Sequence, residues 1–134
     1  MEERHSMAEL DKVQVVDVDG RCPILPIVDG DGVARAVIWP GMGATARSMH
    51  RITLNPGART SLLRHPMEAV YYVISGVGSI HDGSDGTSEQ LRPGSMAFVE
   101  PDTAYVLAAG AERVELVGGP CPPDPSLYRH LRKR

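Results

Sequence analysis

The side chains able to do chemistry in this chain are few and gathered in one region. Among five histidines and four tyrosines, His65 stands in Arg64-His65-Pro66-Met67-Glu68, with Arg59 and Ser61 just before it and Tyr71-Tyr72 just after. His50 and Tyr105 lie in the flanking segments. Two chemistries are open to these types. Imidazoles and a carboxylate can hold a divalent metal such as Fe, Mn, Ni or Zn. An imidazole and a phenol, with no metal, can act as base and acid on a carbon beside a carbonyl. Cys22 and Cys121 add to neither: they sit near opposite ends of the chain, outside any C-x-x-C spacing, and read as structural thiols of a reduced compartment.

The elements that must position these groups read as short strands. Turn signals recur at Asp19-Gly20, Asp29-Gly30-Asp31-Gly32, Asn55-Pro56-Gly57, Asp82-Gly83, Pro93-Gly94 and Gly118-Gly119. Between them lie runs rich in Val, Ile, Tyr and Thr: 13–18, 33–39, 48–54, 70–74, 96–99, 105–109 and 114–117. Strands at this interval predict an all-β sandwich or barrel. Ser79-Ile80-His81 and Ser88–Leu91 read as the arms of a hairpin around a polar, glycine-rich loop, with His81 a solvated residue at its mouth. At 134 residues the chain is one domain, 1–134, long enough to bury a core. Residues 1–12 and 121–134 are expected to be peripheral or mobile: the first are polar, and prolines 122, 123 and 125 deny the last a regular start. Ser126–Arg134 reads as a short helix or a tail, with a basic, solubilising end.

The order of these residues resembles a known family. Gly57, His65-Pro66 and Gly76 keep the rhythm of the first motif of the cupin superfamily, G-x5-H-x-H-x3,4-E-x6-G, and Pro93-Gly94 through Tyr105 follow its second. The likeness covers residues 45–118. It implies a cupin-type antiparallel β-barrel, or double-stranded jelly roll, whose members bind one divalent metal through His, His, Glu and His. The ligands do not carry over. Leu63 stands at the first histidine, His65 at the second, Ala69 at the carboxylate and Tyr105 at the last histidine. A metal is therefore not favoured. If one binds, His65 with Glu68 and His50 are the donors within reach, Glu68 through a bulge that re-aims it by one position.

Residues two apart on a strand share a face. Alternation groups Ser61, Leu63 and His65; Ala69, Tyr71 and Val73; and Tyr105 with Leu107. The barrel interior then forms a mostly apolar pocket with a few polar groups, suited to an oxygenated organic molecule. His65 and Tyr105 are the expected catalytic pair for metal-independent proton transfer of isomerase, cyclase or lyase type. Tyr71, Ser61, Leu63, Leu107 and Arg59 would line or orient the substrate. A non-catalytic sensor of small molecules, or a metal enzyme with an unusual ligand set, are the alternatives. His50 shares a face with Ser48, Ile52 and Leu54: it either restores a second imidazole beside His65 or serves as a hydrogen-bonded histidine at a sheet edge or contact. Glu68 otherwise reads as a rim carboxylate paired with Arg64 or Arg59.

Composition narrows the partners. A net charge of −3 gives the chain no electrostatic pull toward nucleic acid. No window approaches the roughly 18 apolar residues of a membrane span, and the charged Met1–His5 start does not resemble a secretory signal. Arginine in place of lysine, with abundant Ala, Gly, Val and Pro, suggests a GC-rich bacterial genome. A cytoplasmic protein of bacterial metabolism is expected. Family members of this size commonly pair through N-terminal strands and one sheet face, so a homodimer is expected as well.

Overall fold

In a sheet with one wet face, alternation decides which side chains meet, and here it builds two sheets that face each other. The computed structural model describes residues 12–131. One sheet has six strands, β1 (Ile24–Leu25), β3 (Gly32–Ile38), β4 (Met49–Leu54), β11 (Val114–Cys121), β6 (Glu68–Ser75) and β9 (Met96–Val99), in that order. The other has five, in the order β2 (Val28–Asp29), β5 (Arg59–Thr60), β10 (Tyr105–Ala109), β7 (Gly78–Asp82) and β8 (Ser88–Leu91). The named strand pairs are all antiparallel. The protein is an all-β jelly roll, as the turn spacing predicts.

Period-2 burial is regular in the strands that matter most. On β4, His50, Ile52 and Leu54 are buried; on β6, Ala69, Tyr71 and Val73; on β10, Tyr105 and Leu107. These inner faces form one core with Leu25, Leu91, Val114 and Leu116. Burying each such aliphatic side chain contributes roughly 1.5–3 kcal/mol relative to exposure. Gly76, which ends β6, has a φ of +81°, and a Cβ there would lie 1.8 Å from the Arg113 carbonyl oxygen. Only glycine permits that turn from one sheet toward the other.

The chain departs from expectation at both ends. Residues 13–18 do not form a strand. Val13, Val15 and Val18 are exposed, and residues 13–18 join neither sheet; an apolar run without a ladder partner gains nothing from being extended. Residues 1–11 and 132–134 lie outside the described residues, so the expectations for the start and the basic end fall there. The segment after β11 is not peripheral. It forms a 3-10 helix, Pro125–Leu131, and buries Asp124 and Tyr128. Among the described residues, no helix is long and apolar enough to cross a membrane.

Candidate functional site

Sheet register explains how His65 meets Tyr105. Leu63 and Tyr105 form an isolated antiparallel bridge, each amide donating to the other's carbonyl at 2.9 and 2.8 Å. They therefore share a face, and His65, two residues beyond Leu63, becomes the diagonal neighbour of Tyr105. Aromatic side chains reach across that diagonal. His65 Nε2 lies 2.7 Å from the Tyr105 hydroxyl, and the rings meet edge to face with centroids 5.6 Å apart. Tyr71 enters from the opposite sheet, its hydroxyl 2.5 Å from that of Tyr105. The other side of the imidazole is taken by the C-terminal segment: His65 Nδ1 lies 2.8 Å from Asp124 Oδ2. Asp124, His65, Tyr105 and Tyr71 thus form one buried hydrogen-bonded chain.

The carboxylate orients this chain. Burial pushes Asp124 up, but hydrogen bonds from His65 and from the Ser126 amide and hydroxyl outweigh it, and its carboxyl is held below the ordinary value. An ionised carboxylate only accepts. With neutral imidazole, Nδ1–H donates to Asp124, Nε2 accepts from Tyr105, and the Tyr105 oxygen accepts from Tyr71. With imidazolium, every bond after Nδ1 reverses: Nε2–H donates to Tyr105, and Tyr105 donates to Tyr71. Both phenols keep their protons, since burial pushes Tyr71 and Tyr105 well above the usual phenol value. The arrangement can move a proton along its length without leaving a lasting phenolate.

A second buried pair sits beside the first. His50 faces the interior, and its Nε2 lies 2.6 Å from the Tyr128 hydroxyl. Tyr128 also packs against Trp39, ring centroids 5.2 Å apart. Burial and the hydroxyl of Ser48 act on Tyr128 in opposite directions, and burial wins, raising it to about 12. Burial, then the neighbouring His65, lowers His50 from 6.5 to about 4. The sign follows from linkage. Between those two values the unfolded chain binds a proton that the folded chain refuses, so stability is full above pH 6.5 and falls toward pH 4. The loss is about 3 kcal/mol at most. Urea midpoints at about pH 7.5 and about pH 4.5 should differ accordingly, and His50→Gln should remove most of that difference. Asp124 does not confuse the test, because its contribution is kept until pH drops below the ordinary 3.8.

Several expected site residues are elsewhere. Arg59 is exposed on β5, while its neighbours Ala58 and Thr60 point inward; alternation turns it away from the pocket. Ser61 is half-buried, its hydroxyl 3.5 Å from the Ile27 carbonyl oxygen and apart from the buried chain. Glu68 is exposed at the start of β6, on the face opposite Ala69, because no bulge re-aims it. Leu63 and Leu107 are buried in the apolar core and are not in the lining of the cavity beside Tyr105. His81 is a β7 residue bonded to the Ser79 hydroxyl at 2.9 Å. Asp124 and Tyr128 were not expected at all. Asp124-Pro125-Ser126 does carry the signature of a helix start, a carboxylate accepting from the amide two residues on. Nothing local says that this start folds back onto His65.

The donor set does not fit a resident divalent metal of the cupin kind. Leu63 and Ala69 offer no donor, and both ring nitrogens of His65 are engaged. Glu68 points out, and His50 is bonded to Tyr128. Among the described residues, no three His, Cys, Asp or Glu side chains converge as ligands.

Beside the buried chain is a cavity of about 410 Å³, with Tyr105 in its wall. It opens between β8 and β9, the strands that end the two sheets on that side.

This fold and site define a small single-barrel protein with a buried, hydrogen-bonded polar core. The sequence matches the cupin domain family over residues 50–117, about half of the chain, and the protein belongs to that family. Solved structures agree on the fold. A predicted oxalate decarboxylase from Thermotoga maritima is 20% identical with a TM-score of 0.66, over 81% of this chain and 99% of that one. The polyketide cyclase RemF from Streptomyces resistomycificus is 20% identical with a TM-score of 0.61, over 92% and 82%. A cupin 2 conserved barrel domain protein from Salinispora arenicola is 14% identical with a TM-score of 0.62, over 80% and 87%. No curated protein matches the sequence.

Proposed function

We propose that this cupin is an enzyme that moves a proton on a small oxygenated organic substrate, without a metal, as an isomerase, cyclase or lyase does. The observation that carries this reading is the unbroken chain Asp124–His65–Tyr105–Tyr71, of which Tyr105 also stands in a cavity wall. A proton leaves a substrate carbon beside a carbonyl and passes to the Tyr105 oxygen. The Tyr105 proton passes in the same event to His65 Nε2. The electron pair stays on the substrate as an enolate, and the imidazolium is held by the Asp124 carboxylate. Return of the proton at another atom gives an isomer, while loss of a β-substituent gives a lyase product. Tyr71 donates to Tyr105 before the transfer, while the imidazole is neutral, and orients its oxygen. The fold hosts many chemistries and does not choose among them; a cyclase among the structural relatives is compatible with this one.

A specific observation favours a second reading. All four groups of the chain satisfy one another, as a purely structural polar core also would. On that reading the barrel binds a small molecule without converting it. The expected homodimer has support in Val70, Tyr72 and Met96, exposed apolar side chains on the outer face of β6 and β9. A soluble, cytoplasmic role remains part of the proposal.

Solvent-deuterium exchange separates the two readings. The protein in D2O is incubated with a panel of small hydroxy-ketones and phenolic ketones, and deuterium uptake is read by mass spectrometry. Uptake by the native protein should fall on the order of 10²-fold or more in His65→Gln and in Tyr105→Phe. Uptake unchanged in both variants sinks the acid–base assignment, and no uptake at all favours the binding protein.

A further inference from the structure

The cavity beside Tyr105 has a chemical character that the buried chain alone does not reveal. Register places its polar lining. Tyr105 pairs with Asp82, and Leu107 with Ile80, across β10 and β7. Ile80 in turn pairs with Glu89 on β8. Directly paired residues share a face, so Asp82 and Glu89 share the face of Tyr105, the inner one. Both line the cavity with Tyr105, and Glu100 joins them from the loop after β9. Among the described residues that line it there is no lysine or arginine. The apolar part comes from Ile80, Val99 and Phe98, and Phe98 is a largely exposed ring at the rim. At about 410 Å³ the space suits a molecule with one or two rings.

We infer that this cavity is the substrate pocket and that Asp82 and Glu89 set its specificity, admitting cationic or neutral, donor-bearing ring compounds and rejecting carboxylates. The inference rests on the proton-transfer reading for the role of Tyr105, though not for the preference itself. An ionised carboxylate can only accept hydrogen bonds. A ligand ammonium or hydroxyl meets a partner there, whereas a ligand carboxylate meets like charges and no lysine or arginine to compensate them; His81, also in the lining, has its Nε2 bonded to the Ser79 hydroxyl. Asp82 stays ionised, its Oδ1 already accepting from the Ser84 amide and hydroxyl at 2.8 and 2.6 Å, which leaves Oδ2 for a ligand. Phe98 offers a flat face for ring stacking and for a cation.

Three probes of nearly equal size isolate the head group: benzylamine, benzyl alcohol and benzoate, titrated into the full-length ¹⁵N-labelled protein at fixed ionic strength. Benzylamine should bind about tenfold or more tighter than benzoate, with benzyl alcohol between them. The shifted amides should include those of Ile80, Glu89 and Tyr105. Asp82→Asn with Glu89→Gln should bring benzylamine and benzoate to within about threefold of each other. Should that double variant not fold, Glu89→Gln alone, at an exposed position, should give a smaller change of the same sign. Benzoate binding as tightly as benzylamine, shifts confined to other surfaces, or a preference untouched by the substitutions would each overturn the inference. His65→Gln separates it from the catalytic reading. That variant should lose deuterium exchange and keep the benzylamine preference, whereas a native protein that shows the preference and no exchange removes the catalysis and leaves the pocket.

Discussion

Asp124→Asn should cut solvent-deuterium exchange on the order of 10²–10³-fold while leaving the barrel folded. The two side chains have nearly the same shape, so packing is preserved. What changes is charge and direction. The carboxylate accepts from His65 Nδ1–H at 2.8 Å and can do nothing else there. An asparagine can present either its oxygen or its NH₂, so Nδ1 no longer has to carry the proton. Each molecule with the other tautomer points N–H at Tyr105 and has no lone pair to take the phenol's proton. The imidazolium formed during transfer also loses its counter-charge in a buried site, where such a pair is worth most. Imidazole ¹⁵N shifts of His65 report the change directly: one tautomer in the native protein, a mixture in the variant. A merely structural Asp124 would give lower stability with the native tautomer and native exchange per folded molecule, and that outcome would refute its positioning role.

Much of this architecture can be read from local rules, and the limit of those rules is physical. Alternation alone puts Leu63 and His65 on one face, Ala69, Tyr71 and Val73 on another, and Tyr105 with Leu107 on a third. Strand geometry imposes that period wherever one side of a sheet is covered. The same rule grouped His50 with Ile52 and Leu54, and the structure turns all three inward. Alternation holds within β5, where Thr60 is buried and Arg59 exposed, but its phase does not carry over to Ser61, Leu63 and His65, because β5 is only two residues long and the chain beyond it leaves the pleat. Residues 13–18 have the composition of a strand but no ladder partner among the described residues, and composition carries no information about a partner. The hardest residues to foresee were Asp124 and Tyr128. They lie 59 and 78 residues from the histidines they bond. A proline-rich segment looks like a linker by composition, yet prolines that hold φ also lower the entropy lost when such a segment docks.

That docking can be measured. Tyr128→Ala should cost about 3–5 kcal/mol of stability, the range for removing a large buried aromatic, read from urea midpoints at neutral pH. The ring packs on Trp39 and its hydroxyl partners His50, so the substitution opens a space and leaves His50 Nε2 unpaired. Tyr128→Phe keeps the ring and gives up the hydrogen bond alone, and should cost about 1–2 kcal/mol. A cost below about 1 kcal/mol for the alanine variant would mean that the segment after β11 is not part of the core. The consequence for function follows from the chain's own continuity. Asp124 and Tyr128 stand four residues apart on one short segment, one reaching His65 and the other His50. Loosening Tyr128 should therefore weaken the hold of Asp124 on His65 and lower exchange, although Tyr128 touches no member of the proton chain by a hydrogen bond. In a double-mutant cycle, Tyr128→Ala should add little to the loss of exchange already caused by Asp124→Asn, because both act through the same carboxylate. Strict additivity would separate the two contacts and leave Tyr128 a role in stability alone.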